Sequence, residues 1–154
     1  MKTWNAAVLA ALVLLCACGK KETPEAQVRR TISEAAAAAE KKDSAALRAT
    51  VSDKYTDSQG RDKKTVEGIL RVYFLRNASL HLFTRTSSVT FPEKEKSVVV
   101  VYVGMAAQPV PSAEALEQLR ADLYRFDLTF VREGDAWHVA SAEWRPAELG
   151  DFVH

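Results

Sequence analysis

A change of hydrophobic period near residue 78 is the sequence feature that most constrains the fold of this chain. Before residue 78, apolar residues recur every three or four positions, as they do on one face of an α-helix. After it, β-branched and aromatic residues dominate and partly alternate with polar ones, which is typical of strands. Helices that precede a run of hairpin-connected strands indicate an α+β domain with an antiparallel sheet.

Three helices are predicted in the first half. The first begins at Pro24 after the capping residue Thr23, and the run Ala35–Ala39 gives it a smooth face for close packing on a sheet. Its apolar stripe has helical spacing and consists of Val28, Ile32, Ala35 and Ala39. The second runs from Ser44 to about Val51 after the cap Asp43. The third follows the cap Asp62, and its apolar stripe consists of Val66, Ile69, Leu70, Tyr73 and Phe74.

Four strands are predicted in the second half. They are Leu80–Phe91, Ser97–Met105, Leu119–Arg132 and Ala136–Trp144. Glu133-Gly134-Asp135 is a hairpin turn signal between the last two. The proline-containing stretch between the second and third strands predicts a turn or a single helical turn. The predicted fold is therefore α+β, with three N-terminal helices packed on an antiparallel sheet of four main strands.

Charge and motif content argue against several classes of function. The chain has 21 basic and 20 acidic residues, interspersed, whereas a nucleic-acid binder normally carries a basic excess or stripe. The histidines are far apart, so no metal-ligand spacing is present. Phosphate-binding glycine loops and the Gly-x-Ser-x-Gly elbow are also missing from the sequence. We expect no metal, no cofactor and no nucleic-acid partner.

The N-terminus has the three-part layout of a secretory signal. Lys2 supplies a positive charge, Ala6–Leu15 is unbroken apolar sequence, and small residues then precede Lys20 and Lys21. The apolar stretch to Cys18 is shorter than the roughly 20 residues that a bilayer-spanning helix requires. Export followed by cleavage is therefore expected.

The two cysteines refine this prediction, because Leu15-Cys16-Ala17-Cys18 resembles the bacterial lipobox. By that resemblance Cys18 receives a diacylglycerol, cleavage follows Ala17, and the new amine is acylated. Cys16 is a poor acceptor because Leu15 is too large for the preceding position. A Cys-x-Cys metal site would need further ligands, and a disulfide across one residue would be strained. An ordinary cleavable signal remains the alternative.

The lipobox resemblance implies the location of the protein. Gly19, rather than Asp, follows the acceptor, which by family resemblance favours the outer membrane over retention at the inner one. Gly19–Thr23 spans at most about 17 Å, so the domain would lie in the periplasm close to its palmitate-bearing anchor. The expected organisation is a signal peptide (1–17), a lipidated tether (18–23), a folded domain (24–148) and a short tail (149–154).

Two segments resemble the nuclear transport factor 2-like superfamily. They are DSAALRATVSDKYTDSQGRDKKTVEGIL, which is similar to the second helix, turn and third helix of that family, and REGDAWHVASAEW, which is similar to its closing hairpin. The resemblance covers about residues 24–146. It implies a cone, in which a strongly curved sheet wraps around helices and leaves a pocket. It does not by itself imply one function, because this fold carries both enzymes and binders.

The resemblance leaves three functional hypotheses. The first is a non-catalytic, membrane-anchored envelope lipoprotein whose cone pocket or sheet face binds a partner protein, a lipid-like molecule, a wall fragment or another small molecule. The second is a membrane-tethered lyase or isomerase with an acid and a Tyr or His in the cone. The third is a homodimer formed through the outer sheet face, with Tyr124 and Phe126 exposed. The candidate pocket residues are Tyr55, Tyr73, His81, Tyr102 and Trp144; no residue is assigned a catalytic role.

Overall fold

The computed structural model describes residues 21–153, so the predicted signal peptide and Cys18 lie outside the described residues. Its helices are α1 (Pro24–Glu40), α2 (Ser44–Ala49), α3 (Lys63–Arg76) and α4 (Ala115–Gln118). Its strands are β1 (His81–Glu93), β2 (Lys96–Ala106), β3 (Asp122–Glu133) and β4 (Ala136–Pro146), and a 3-10 turn spans Leu149–Phe152. The strands form one antiparallel sheet in the order β1-β2-β3-β4, which confirms the predicted α+β class.

Side-chain caps begin the three N-terminal helices where the sequence predicts them. Thr23 Oγ1 accepts a hydrogen bond from the backbone N–H of Ala26 at 3.2 Å. The Asp43 and Asp62 carboxylates accept equivalent bonds at 2.9 Å and 2.8 Å at the starts of α2 and α3. Each cap satisfies a backbone donor that the first helical turn leaves without an intrahelical partner.

Bulges and tight turns curve the sheet around α1. Register shifts interrupt the β1–β2 pairing near Ser88 and the β3–β4 pairing near Phe130, and an extra residue of this kind bends its strand. The predicted hairpin turn is present between β3 and β4, where Gly134 has a φ of +63°, a conformation that favours glycine.

Apolar clusters cover both faces of the sheet. The inner cluster, on the face toward α1, consists of Val28, Ile32, Val99, Val101, Val103, Phe130 and Trp137. The outer cluster, on the opposite face under α4, consists of Tyr102, Ala113, Leu116 and Phe152. Phe152, in the segment expected to be a tail, is only 3% exposed. Because both clusters draw only on residues 28–152, the described part carries its own core.

Two sequence-based expectations about apolar residues are wrong. Phe126 does not lie exposed on the outer face but packs on the inner cluster and stacks on Trp144, with ring centroids 6.2 Å apart. Tyr124 lies beside it, half-buried, at 6.4 Å. Within α3, Ile69 is 40% exposed instead of inward-facing, and Phe74 is the buried residue of that helix. The alternation of β3 indicates which residues share a face, but the period alone does not say which side of a strand meets the helices.

Candidate functional site

A cavity of about 190 Å³ lies between α1 and the inner face of the sheet. Its fifteen lining residues come from α1, α3 and all four strands: Thr31, Ile32, Ala35, Ala36, Ala39, Leu70, Leu82, Thr84, Val101, Val103, Met105, Phe126, Leu128, Phe130 and Val139. The strand alternation of β2 directs Val101, Val103 and Met105 inward. Opposite them, α1 presents alanines, whose single methyl groups leave the space between helix and sheet unfilled.

The cavity lining is almost entirely apolar. None of the fifteen lining side chains titrates, and the two polar ones are the threonines. Thr31 Oγ1 donates to the backbone carbonyl of Gln27 at 3.1 Å, so its hydrogen is used within α1. An engineered apolar cavity of about 150 Å³ stays dry and binds benzene or xenon. A site of this size and chemistry therefore suits a benzene-sized ring or the end of an alkyl chain.

Two further depressions lie beside α2 and beside Trp137. One lies between α2 and α3, where Arg48 and Glu67 form an ion pair at 2.9 Å, so each charge already has a partner. The other lies beside Trp137, whose indole N–H donates to Gln27 Oε1 at 3.1 Å. Neither presents a convergent set of catalytic groups, and residues 21–153 contain no cluster of His, Cys, Asp and Glu able to hold a metal ion.

Tyr55 belongs to the loop before α3 and does not line the cavity. It is 4% exposed, and its hydroxyl lies 3.4 Å from both Asp57 Oδ2 and the carbonyl of Ala142. Burial, with the nearby Asp57 carboxylate, raises the pKa of Tyr55 to about 12. The phenol therefore stays protonated at neutral pH and holds the loop against β4.

Asp57 is the centre of that loop. Its carboxylate is fully buried and accepts hydrogen bonds from the backbone N–H groups of Gln59 and Arg61 and from Arg61 Nε at 2.6 Å. Burial acts to raise the pKa of Asp57, but the bonds from Arg61 and Gln59 together outweigh it, so the pKa is lowered. The Arg61 guanidinium also lies over the Trp144 ring, 4.2 Å from its centroid. Trp144 thus contacts both Arg61 and Phe126.

We expect Asp57→Asn to lower the urea midpoint of unfolding at neutral pH. Because the folded-state pKa of Asp57 lies below the unfolded value, its contribution is present above the unfolded pKa and is lost as pH falls through the folded one. The deficit of the variant should therefore shrink from about pH 5 downward. Urea titrations across that range measure it, with the exposed Asp135→Asn as the matched control. A deficit that stays constant with pH would contradict this assignment.

The other three candidates are separated in space. Tyr73, on α3, is the one nearest the cavity, since its hydroxyl lies 3.2 Å from Sδ of the lining residue Met105. Burial, then the Asp122 carboxylate, raises the pKa of Tyr73. His81 begins the edge strand β1 and pairs with Ala106. Tyr102 packs on the outer face against Phe152, at 5.7 Å between ring centroids.

The cavity-lining residues were not among the sequence-based site candidates. Those candidates are polar and aromatic side chains, whereas the cavity is lined mainly by alanine, valine, leucine and phenylalanine. Two sequence features could have indicated the cavity: the alanine run of α1 and the apolar alternation of β2. Both are equally typical of an ordinary hydrophobic core.

These elements together form a nuclear transport factor 2-like fold: an antiparallel sheet curved around a long helix, with an apolar cavity in the concave side. Among solved structures, a putative scytalone dehydratase from Novosphingobium aromaticivorans is similar over 79% of this chain and 83% of its own, with a TM-score of 0.65 and 11% identity. A nuclear transport factor 2-like protein of unknown function from Silicibacter pomeroyi matches 80% of this chain and 95% of its own, with a TM-score of 0.59 and 15% identity.

A third neighbour shows the same fold within a longer chain. The match to a Bdellovibrio bacteriovorus structure has a TM-score of 0.60 and 11% identity, and covers 79% of this chain but only 40% of that one. No protein-family profile matches the sequence. No curated protein matches it either. At sequence identities this low, the similarity to these solved structures establishes the fold of the chain alone.

Proposed function

We propose that this protein is a membrane-anchored lipoprotein of the bacterial envelope whose cone domain binds a small apolar ligand without transforming it. The observation that carries the binding role is the apolar cavity between α1 and the sheet, with fifteen lining residues, none of them titratable. Burial of apolar surface drives binding at such a site, and specificity comes from its shape.

The Leu15–Cys18 pattern supports the anchor. Several acyl chains on Cys18 would hold the chain stably at the bilayer, because each buried methylene contributes about 0.8 kcal/mol. The following Gly19 favours the outer membrane, with the domain in the periplasm. Among residues 21–153, the structure has no helix both long and apolar enough to span a bilayer.

The arrangement of titratable groups favours binding over catalysis. A general acid or base must lie within hydrogen-bond reach of the reacting atom, and no such group lines the cavity. Asp57 is held by Arg61, and Tyr55 lies against β4.

The alternative is a membrane-tethered lyase or isomerase, favoured by the neighbour named as a putative dehydratase and by Tyr73 beside Met105. That reading requires Tyr73 to reach the ligand, and activity lost in Tyr73→Phe would support it.

Benzene is the probe that tests the cavity in the purified domain of residues 21–154. A ligand at ten times its Kd is expected to stabilise the folded state by about 1.4 kcal/mol. Ala36→Leu places a larger side chain into the cavity and should abolish that stabilisation, whereas Ala37→Leu on the exposed side of α1 should preserve it. Urea unfolding with and without benzene gives the readout. Equal stabilisation of both variants, or none of the unsubstituted domain, would refute the cavity as the ligand site.

A further inference from the structure

The outward side of α3 is an exposed apolar stripe with a basic border. The α3 outer face, as we define it, consists of Thr65, Gly68, Ile69, Val72 and Leu75, bordered by Lys64, Arg71 and Arg76. Ile69 is 40% exposed, Val72 47% and Leu75 80%. Helical spacing places these three side chains on one side of α3. A shallow groove on that side is lined by Thr65, Gly68, Ile69, Val72, Tyr73 and Arg76.

The inward side of α3 makes the contacts between this helix and the rest of the domain. Phe74 is its buried residue and Leu70 lines the cavity. Lys63 donates to the carbonyl of Val51 at 2.7 Å and pairs with Asp53, while Glu67 pairs with Arg48. These contacts hold α3 against the rest of the domain, and none of them involves the α3 outer face.

The charge of α3 indicates what covers that face. The helix carries four basic side chains and one carboxylate, and two of those five, Lys63 and Glu67, are already in ion pairs. Within the described part of the chain, Lys64, Arg71 and Arg76 have no carboxylate at ion-pair distance, which leaves them for an anionic partner. An apolar stripe bordered by Lys and Arg is the pattern of a helix that lies in a membrane interface.

A second copy of this chain fits the α3 outer face poorly. Two such faces would bring basic borders together, and like charges repel. The helix of 14 residues is about 21 Å long, so with a width of about 10 Å it offers roughly 200 Å². A stable dimer needs about 800 Å² from each partner.

We infer that the α3 outer face docks on an anionic lipid surface, with Ile69, Val72 and Leu75 inserted among the acyl chains and Lys64, Arg71 and Arg76 at the headgroups. This contact is separate from any lipid on Cys18 and does not depend on ligand in the cavity. It brings the helix that closes one side of the cavity against the bilayer.

Vesicle binding by the domain of residues 21–154, which lacks Cys18 and carries its own core, tests this. The domain should sediment with vesicles of phosphatidylcholine and phosphatidylglycerol, and far less with phosphatidylcholine alone. Each basic residue near such a surface contributes about fivefold in affinity, so Lys64→Gln with Arg71→Gln should weaken binding about 25-fold. Val72→Ser with Leu75→Ser should also weaken it, and because both residues are exposed these variants should fold.

The matched control is Lys41→Gln with Lys94→Gln, two exposed lysines outside α3. It gives the same net charge as the Lys64 and Arg71 variant and should bind nearly as well as the unsubstituted domain. Equal loss in both double variants would show attraction by net charge and overturn the assignment to α3. Absence of vesicle binding would overturn it as well. So would a dimer in analytical ultracentrifugation that Val72→Ser with Leu75→Ser dissociates, since the occupant would then be a second copy.

Discussion

Replacing Cys18 with Ala is expected to reduce incorporation of a palmitate analogue into this protein to background. The lipobox-like sequence places the acyl acceptor at Cys18, and a methyl side chain offers no sulfur for the thioether. The Cys18→Ala chain should then accumulate as an unlipidated precursor or be cut at an ordinary signal site. Metabolic labelling with the analogue, followed by gel analysis of the immunoprecipitated protein, measures the effect. Acyl labelling is the appropriate readout because an uncut apolar segment could keep the variant at the membrane.

Cys16→Ala is the matched control for that experiment. Cys16 lies two residues before the acceptor and is removed with the signal in the proposed processing. Labelling of this variant should equal that of the unsubstituted protein. If Cys18→Ala retains the label, the anchor assignment is refuted, whereas the cavity and the α3 outer face are tested by their own experiments.

Gly104→Ala is expected to destabilise the domain by roughly 1–3 kcal/mol through overpacking. A Cβ at position 104 would overlap Cδ2 of Leu116, in the outer cluster where Leu116 is almost fully buried. Leu116→Ala alone should cost about 2–5 kcal/mol, because it removes buried methyl groups and leaves a cavity under α4. Urea unfolding at neutral pH gives both free energies.

The double variant Gly104→Ala with Leu116→Ala separates steric conflict from general damage to β2. The new methyl at 104 should partly occupy the space that Leu116 vacates, so the combined cost should be smaller than the sum of the two single costs. Gly68→Ala in α3 is the control, since its Cβ meets nothing within 4 Å and alanine favours a helix by about 1 kcal/mol over glycine. Strict additivity in the double variant would argue against the Gly104–Leu116 contact.

Local chemistry made much of the fold predictable. Thr23, Asp43 and Asp62 each bond a nearby backbone N–H, so the sequence alone marks the helix starts. Gly134 supplies the positive φ that the β3–β4 turn requires. The change from helical to strand period then placed the elements in the right order. These features depend on residues a few positions apart, which are visible in the sequence.

The candidate site was far less predictable. Tyr55, Trp144 and Tyr102 are chemically the right types for a pocket, yet each packs elsewhere, against Asp57, Arg61 or Phe152. Alternation along β3 groups Phe126 with Leu128 and Phe130 on one face, but it does not say which face of the sheet the helices cover. Contacts between residues far apart in sequence determine which face of the sheet the helices cover, and short-range patterns do not contain that information.

The sequence by itself determined the order and type of the elements, the helix caps, the β3–β4 turn and the lipobox-like segment, because each follows from short-range backbone and side-chain chemistry. Only the tertiary structure decided which faces of α1 and the sheet meet, that alanines opposite valines leave a cavity, and that Ile69, Val72 and Leu75 remain uncovered in the described part. Those outcomes depend on how far apart the curved sheet holds the helices, which is a property of the whole packed domain.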